Sequence, residues 1–347
     1  MKASSSASIR LRKPARFAAI GALSASALLL AACGSAQAGS ASGGSADSGK
    51  LTVVTSTNVY ADIVKNVAGD DADITAVIDD PNKDPHDYEA TSADQLKVSK
   101  ADLVVENGGG YDAFMTSMIK AANVDPIVVD AVSVSGLPGS DGVGNEGHDH
   151  GDEGHDEEAH EHGDEHGEEG HEHGEFNEHV WYSVPTMVKV TDAVAKALGE
   201  KSPDNAAAFT KNADAYKSKL QGLEDKAATV KKDHNGAKAA ATEPVPLWLF
   251  GDMGLHNATS EDFLEAVEEG DDVPPLVLKS AQDQISKKQV KLLAYNTQAS
   301  NSQADALKDS AEKSNVPVVD LRETMPADTD YVTWMGGNID AIDKALG

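Results

Sequence analysis

Residues 203–234 read PDNAAAFTKNADAYKSKLQGLEDKAATVKKDH, and their apolar positions recur alternately every four and three residues. This spacing predicts a narrow apolar stripe on one face of a helix of about seven turns. The stripe consists of Phe209, Ala213, Tyr216, Leu220, Leu223, Ala227 and Val230. Pro203 suits the first helical turn with Ser202 as N-cap, and Asn235-Gly236 suits the exit. Alanines interrupt the stripe, so we expect a strut lying along two lobes rather than a coiled-coil strand.

Short apolar runs precede and follow this helix. Most are continuous rather than alternating, which is typical of parallel strands buried on both faces. The predicted strands are Leu51–Thr57, Asp73–Ile78, Leu103–Glu106, Pro126–Val132, Ala237–Thr242, Leu276–Leu278, Val290–Tyr295 and Val316–Leu321. Helical segments such as Tyr60–Val67 and Ser260–Glu268 separate them. The sequence therefore predicts an α/β fold with two lobes joined by one long helix, each lobe holding a roughly four-stranded parallel sheet flanked by helices.

The beginning of the chain has the pattern of a bacterial lipoprotein signal. Five basic residues and no acid lie within residues 2–16, ahead of the apolar stretch Phe17–Leu30. This stretch is too short for a spanning helix and suits an export signal. The chain's single cysteine, Cys33, follows Leu30-Ala31-Ala32, where such a signal is cleaved and the new N-terminus acylated. We predict a lipid on Cys33; an ordinary secretory signal with an incidental cysteine is the alternative.

The predicted organisation follows from these features. The Ser- and Gly-rich segment after Cys33 suits a flexible tether. The predicted parts are a signal peptide over 1–32, a tether over 33–49, a first lobe over 50–185 that includes a disordered loop over 141–177, connecting helices over 186–235, and a second lobe over 236–347. We expect a monomer that is extracytoplasmic and lipid-anchored to the bacterial cell membrane.

Charge narrows the choice of partners. The chain has 58 acidic residues against 29 Lys and Arg, a formal net charge of −29, and loss of the basic signal would make it more negative. Such a surface repels nucleic acid and attracts cations, so no nucleic-acid partner is expected. A single cysteine also excludes a disulfide scaffold.

Residues 148–173 form a His-rich tract, HDHGDEGHDEEAHEHGDEHGEEGHEH. Its eight histidines are His148, His150, His155, His160, His162, His166, His171 and His173. Imidazoles mixed with carboxylates suit divalent transition metals. The tract has no apolar period and is therefore expected to be mobile. We interpret its histidines as auxiliary metal ligands, the alternative being a solvated acidic linker.

Four ordered side chains lie near predicted strand ends or beside the tract. His86 follows the strand Asp73–Ile78, Glu243 ends the strand Ala237–Thr242, and Glu323 follows the last strand, while His179 comes just after the tract. Parallel α/β folds place ligands at the carboxyl ends of strands. Neutral imidazoles and ionised carboxylates balance the charge of a divalent cation. The sequence thus predicts one metal site across the cleft, with two ligands from each lobe.

Several amides lie near these positions in the sequence. They are either partners that orient the metal ligands or ordinary loop caps. These residues are Asn58, Asn107, Asn296 and Gln298.

Two segments resemble the metal motifs of a known family. DPHDYEATSAD (84–94) is similar to the first metal motif of the lipoproteins that bind substrate for zinc and manganese ABC importers. EHVWYSVP (178–185) resembles that family's second histidine motif, with Glu178 where a proline is usual, and the ending YVTWMGGNIDAIDKAL (331–346) fits as well. The resemblance spans about residues 50–347. It implies two lobes on a rigid helix, one buried metal in the cleft, and delivery to an ABC importer permease.

The resemblance also implies the ligand set. His86 and His179 correspond to the two histidine ligands of the first lobe. Glu243 falls where many zinc-type members have a histidine and manganese-type members a glutamate. Glu323 falls where the family commonly has an aspartate.

The cues for the metal point in two directions. Zinc outcompetes manganese at most His/carboxylate sites, following the Irving–Williams order. Two carboxylates that chelate bidentately suit manganese better, whereas a His-rich loop is typical of the zinc-type members. We predict Zn²⁺ as the bound metal, with Mn²⁺ as the alternative.

The sequence is less consistent with two other functional classes. The segment from His162 to His166 formally matches the inverted zinc-protease motif, but that motif needs a helix and this run is acidic and interrupted by glycine. The chain has no H-E-x-x-H, no G-x-S-x-G and no Gly-rich phosphate loop. A metallohydrolase is therefore disfavoured and no enzymatic activity is predicted. A surface metal buffer or adhesin that uses the tract alone remains the main alternative.

Overall fold

The fold was analysed in a computed structural model that describes residues 49–83, 85, 88–122, 124–143, 176–298 and 301–347. Cys33, His86 and the eight histidines of the His-rich tract lie outside the described residues.

The first lobe is built on a parallel sheet with strand order β2-β1-β3-β4. Its strands are β1 (Leu51–Thr57), β2 (Ala72–Ile78), β3 (Leu103–Glu106) and β4 (Ile127–Asp130). Its helices are α1 (Asn58–Ala68), α2 (Ser92–Val98), α3 (Ala113–Ala122) and α4 (Ala131–Ser135). Val53 and Val105 pack into one hydrophobic cluster, while Val54 and Val104 pack into another. Neighbouring residues of one strand point to opposite faces, which explains why consecutive positions of β1 and β3 are both apolar.

Two helices connect the lobes, α5 (Val184–Lys201) and α6 (Ala206–His234). All seven residues of the predicted α6 stripe are buried, so the predicted strut is confirmed. The helix begins later than expected, because Pro203–Asn205 form a 3₁₀ turn and Asn205, rather than Ser202, precedes α6. Among the described residues, no helix is both long and apolar enough to cross a bilayer.

The second lobe repeats the architecture with strand order β6-β5-β7-β8, all neighbours parallel. Its strands are β5 (Lys238–Ala241), β6 (His256–Asn257), β7 (Leu293–Asn296) and β8 (Val318–Leu321). Its helices are α7 (Leu247–Asp252), α8 (Glu261–Glu268), α9 (Pro275–Ser286), α10 (Ser302–Lys313) and α11 (Tyr331–Leu346). The predicted pair of four-stranded parallel sheets is therefore confirmed.

One hydrophobic core runs through both lobes. The α6 helix packs against α1 of the first lobe and against α7 and α11 of the second. A single cluster of buried residues includes Val53 of β1, Tyr216 of α6 and Met335 of α11. The connecting helix is thus part of the core of each lobe.

One predicted strand is wrong. Leu276–Leu278 lies in α9, where the side chain of Leu276 is 82% exposed. An apolar run of three residues does not distinguish a strand from a helix, and the preceding Pro274-Pro275 marks a helix start. The fourth strand is instead β6, two exposed polar residues that give no apolar signal.

Another strand ends earlier than predicted. Within the predicted Pro126–Val132, β4 ends at Asp130, whose carboxylate accepts a hydrogen bond from the Ser133 backbone N–H at 2.8 Å. Asp130 is therefore the N-cap of α4.

Asp252 is a largely buried acid at the junction of α7 with the start of α5. Its Oδ2 accepts a hydrogen bond from the Val184 backbone N–H at 3.2 Å. Burial raises the pKa of Asp252 to about 6, and Glu224 adds to this, although the hydrogen bond from Val184 and the charge of Lys231 act in the opposite direction. The folded protein therefore binds this proton more tightly than the unfolded chain does.

Ionisation of Asp252 should oppose folding, and this cost grows as the pH rises through the interval between about 4 and 6. We predict that Asp252→Asn, which keeps an acceptor oxygen for Val184, raises the free energy of unfolding at pH 8 by about 2 kcal/mol. Near pH 3.5 the two proteins should be equally stable. Urea unfolding at both pH values tests this, with the exposed Asp204→Asn as control. A gain of the same size at both pH values would contradict it.

Candidate metal centre

The loops that follow the strands of the two sheets meet between the lobes. Tyr111, after β3, donates a hydrogen bond from its hydroxyl to Oε1 of Glu323, after β8, at 2.9 Å. Asn58, at the start of α1, donates to the Met325 carbonyl at 2.9 Å. The carboxyl ends of the two sheets therefore face a common cleft, the place where α/β folds bind ligands.

Three of the four predicted ligands are buried around this cleft. His179 is 1% exposed, Glu243 is 2% exposed and Glu323 is 6% exposed. Glu243 comes two residues after the end of β5, and Glu323 two residues after the end of β8. His86, the fourth, lies outside the described residues.

Among the described residues, one cluster of metal-ligating atoms contains residues that were not predicted as ligands. One ligating atom each from Glu178, His179 and Glu268 lie within 4.8 Å of one another. The His179 Nε2 atom is 3.6 Å from the Glu268 Oε1 atom. Within the described part of the chain, Glu243 and Glu323 do not belong to this group.

Asn177 fixes the orientation of the His179 ring. Its Nδ2 donates to the Pro244 carbonyl at 3.0 Å, so its Oδ1 is the atom that faces His179. That oxygen accepts from the His179 backbone N–H at 3.1 Å and lies 2.9 Å from Nδ1 of the ring. The proton of the neutral imidazole is therefore on Nδ1, which leaves the lone pair on Nε2 to face the cleft. This is the arrangement typical of a metal-binding histidine.

The two predicted carboxylates are held by polar partners. Asn296 Nδ2 donates to Glu243 Oε2, so this amide orients a predicted ligand. The Tyr111 hydroxyl holds Glu323, and burial together with the charge of Glu323 raises the pKa of Tyr111. The hydroxyl therefore keeps its proton and remains a donor. Trp181 Nε1 also donates to the Glu323 backbone carbonyl at 3.0 Å.

The loop after β3 supports the second histidine motif. Asn107 Nδ2 donates to the Glu178 carbonyl at 2.9 Å, and its Oδ1 accepts from the Tyr60 hydroxyl. The turn needs glycine at position 108, where φ is +77° and a Cβ would lie 2.4 Å from the Asp130 carboxylate. This turn places Asn107 and Tyr111 on the cleft side of the lobe.

The loop before the first motif is attached to the second lobe. The Pro81 carbonyl accepts hydrogen bonds from Gln298 Nε2 at 2.9 Å, Arg322 Nη2 at 2.7 Å and Thr324 Oγ1 at 2.7 Å.

Of the four amides noted in the sequence, Asn107 and Asn296 contact the site segments directly. Asn58 and Gln298 instead join the loops of the two lobes.

Carboxyl groups dominate the electrostatics of the site. Burial, followed by the charges of Glu178, Glu243 and Glu323, raises the pKa of Glu268 to about 10. A carboxyl group in this position stays neutral unless a cation compensates its charge. Imidazole nitrogen and several carboxylate oxygens form a donor set suited to a divalent transition metal.

Sequence reasoning missed four residues of this arrangement. Tyr111 has a recoverable signal, because it follows a predicted strand in a Gly-rich turn. Asn177 stands two residues before a predicted ligand, and Glu178 was noticed only as a departure from the motif. Glu268 has no local signal, since it lies in an acidic run that is usually a solvated surface.

Two α/β lobes on one rigid helix, with ligating side chains in the loops between them, define a two-lobed binding protein of the metal-binding type. Residues 53–345 match the family described as zinc-uptake complex component A periplasmic, ZnuA. The chain therefore belongs to the ZnuA family, as the resemblance of residues 84–94 and 178–185 predicted.

Several characterised relatives match the chain. The manganese ABC transporter substrate-binding lipoprotein scaA of Streptococcus gordonii is 27% identical over 86% of this chain and 89% of its own length. The zinc-binding lipoprotein AdcA of Streptococcus pneumoniae is 28% identical over 85% of this chain and 56% of its own length. The metal ABC transporter substrate-binding lipoprotein SsaB of Streptococcus sanguinis is 28% identical over 58% of each chain. The chain thus spans less than two thirds of AdcA and SsaB.

Solved structures share the fold. The periplasmic zinc binding protein TroA from Treponema pallidum superposes with a TM-score of 0.62 at 21% identity, covering 86% of this chain and 100% of TroA. The binding protein FpvC from Pseudomonas aeruginosa, in complex with Mn²⁺, gives a TM-score of 0.64 at 22% identity, covering 86% of this chain and 98% of FpvC.

We predict that Asn177→Ala weakens metal affinity by about tenfold to a hundredfold, because the His179 ring loses the acceptor that orients Nε2. Asn177→Asp keeps this acceptor and should retain most of the affinity. Competition with a chromophoric chelator measures both. Asn212→Ala, which removes a hydrogen bond to the Val67 carbonyl far from the site, is the control and should bind like the unmodified protein. Equal affinity of the Asn177→Ala protein would refute the orienting role.

Proposed function

We propose that this chain is an extracytoplasmic solute-binding protein that captures one divalent transition-metal ion between its lobes and delivers it to an ABC permease. The observation that carries the proposal is the buried His179 ring, whose Nε2 faces carboxyl groups in the cleft of a protein of the ZnuA family. The metal is cargo, because a transport protein must bind it tightly and also release it.

The proposed ligands are the imidazoles of His86 and His179 and the carboxylates of Glu243 and Glu323. Burial of three of these residues and the orienting bonds from Asn177, Asn296 and Tyr111 support the assignment. The place of His86 rests on its motif in residues 84–94. Buried ionisable groups with no evident packing role are expected at functional sites.

Zn²⁺ is the proposed cargo in preference to Mn²⁺. Imidazole nitrogen and the Irving–Williams order favour zinc, and so does the His-rich tract. Carboxylate ligands favour manganese. The names of the relatives include both metals, zinc for AdcA and manganese for scaA.

The proposed location is the outer face of the bacterial cell membrane, with a lipid on Cys33 and a monomeric mature chain. The relatives scaA, AdcA and SsaB are named as lipoproteins, which supports this anchor. The His-rich tract ends six residues before His179. We propose that its histidines raise the local metal concentration near the cleft.

Binding, rather than catalysis or display of the tract, is the proposed activity. Family membership associates the chain with metal uptake, and three residues outside the tract, Glu178, His179 and Glu268, already bring ligating atoms together. A buffer or adhesin role therefore has no support beyond the tract's composition.

Deletion of residues 148–173 should leave one tight metal site, because the cleft ligands lie outside the tract. In that background His179→Ala or His86→Ala should weaken Zn²⁺ binding by at least about a hundredfold, measured by chelator competition. The exposed His256→Ala serves as control and should bind normally. Metal analysis after exposure to equal Zn²⁺ and Mn²⁺ tests the preference for zinc.

Tight binding of Zn²⁺ in both histidine variants would refute the site assignment. Loss of all tight binding on deletion of the tract would favour a metal buffer.

A further inference from the structure

Glu268 is a buried carboxyl group that belongs to neither metal motif. It is the last residue of α8 in the second lobe, and its side chain is 10% exposed. Phe263, Leu264 and Val267 of the same helix are buried, so the position of Glu268 is fixed by packing. Its Oε1 atom points toward His179 of the first lobe.

We infer that Glu268 is a further ligand of the metal, supplied by α8 in addition to the four proposed ligands. This inference rests on the proposed function, because it concerns the same cleft. It adds a carboxylate that the family motifs in residues 84–94 and 178–185 do not specify.

The first argument is distance. The His179 Nε2 and Glu268 Oε1 atoms are 3.6 Å apart. Nitrogen and oxygen ligands lie about 2.1 Å from Zn²⁺, so two ligand atoms of one tetrahedral ion are about 3.4 Å apart. The pair is thus spaced as two ligands of one ion, and is too far apart for a hydrogen bond.

The second argument is the nature of the two atoms. Nε2 carries the lone pair of the ring, because Nδ1 faces the Asn177 acceptor. Glu268 Oε1 is buried and has no hydrogen-bond partner among the described residues. Buried polar atoms usually have a partner. A cation placed between these two atoms would be bound by both of them.

The third argument concerns the surroundings. Glu268 ends α8, where the helix dipole disfavours a negative charge. Glu178 lies within the same cluster of ligating atoms and adds a second carboxylate. Two carboxyl groups placed close together at the end of a helix do not stabilise the fold. Such an arrangement is expected where a protein binds a cation.

A cavity links Glu268 to the surface. It has a volume of about 420 Å³, and its lining includes Asn177, Glu178, Glu261, Glu265 and Glu268. The acids of α8 thus run from the exposed helix surface to the buried end beside His179.

An added carboxylate changes the coordination of the ion. Zn²⁺ is satisfied by four ligands, whereas Mn²⁺ prefers a larger, oxygen-rich set. Glu268 should therefore contribute more to the binding of Mn²⁺ than to that of Zn²⁺, and should narrow the preference of the site for zinc.

The test is Glu268→Gln in the intact protein, with Glu269→Gln as the matched control on the adjacent exposed residue. Metal is added below one equivalent so that the tightest site fills first. We expect Glu268→Gln to weaken Mn²⁺ binding by at least about tenfold and Zn²⁺ binding by a smaller factor. With Co²⁺ as probe, the visible absorption should change in band position and intensity, because the coordination number falls. Glu269→Gln should alter neither quantity.

The outcomes separate the inference from the proposed function. An unchanged Co²⁺ spectrum in Glu268→Gln, with or without a change in affinity, would overturn the ligand role. If the Co²⁺ spectrum of Glu268→Gln is unchanged but His179→Ala loses metal binding in the same assay, only the inference is overturned and the proposed function stands. If His179→Ala binds Zn²⁺ normally, both the proposed function and the inference are overturned. Circular dichroism checks that each variant is folded.

Discussion

The packing of the α6 stripe against both lobes is the constraint on which the rest of the structure depends. One continuous cluster runs from β1 through α6 to α11, so neither lobe completes its core without this helix. A continuous helix of 29 residues offers no hinge, since bending it would break backbone hydrogen bonds. The two sheets are therefore held with their carboxyl ends toward one cleft. If the proposed function holds, metal capture in such a frame relies on loops and side chains more than on wide opening of the lobes.

The cleft itself combines rigid polar support with unfavourable charge. Tyr111, Trp181 and Gln298 make hydrogen bonds that cross between the lobes, and Asn177 holds the His179 ring. Several carboxyl groups are brought together inside this frame, where burial and the neighbouring charges raise the pKa of Glu268 and disfavour its ionisation. The apolar core supplies the stability that makes this arrangement possible. In the proposed function, a divalent cation would relieve this repulsion, and the buried carboxyl groups would contribute to its binding.

Much of the fold could be predicted from periodicity. The α6 stripe and seven of the eight strands could be recognised from the sequence, and burial on both faces explains a continuous apolar run such as Leu103–Val105. β6 could not be predicted, since a two-residue polar edge strand is held by its neighbour β5 alone. Leu276–Leu278 was wrongly predicted as a strand, because three residues are too few to show the period of a strand or of a helix. The positions of Glu243 and Glu323 beside the cleft could be predicted, because each lies two residues after a strand, and their role as ligands stays a prediction.

The sequence by itself determined the lobes, the strut, the family and the strand-end positions of the proposed ligands. These properties follow from local sequence features, namely the spacing of apolar residues and motifs of a few residues. Only the tertiary structure decided which groups meet His179: Asn177 on one side of the ring, and Glu268, nearly ninety residues away in the chain, on the other. The physical reason is that contact between α8 and the second histidine motif depends on how the two sheets are set along α6. No pattern within either segment encodes that placement.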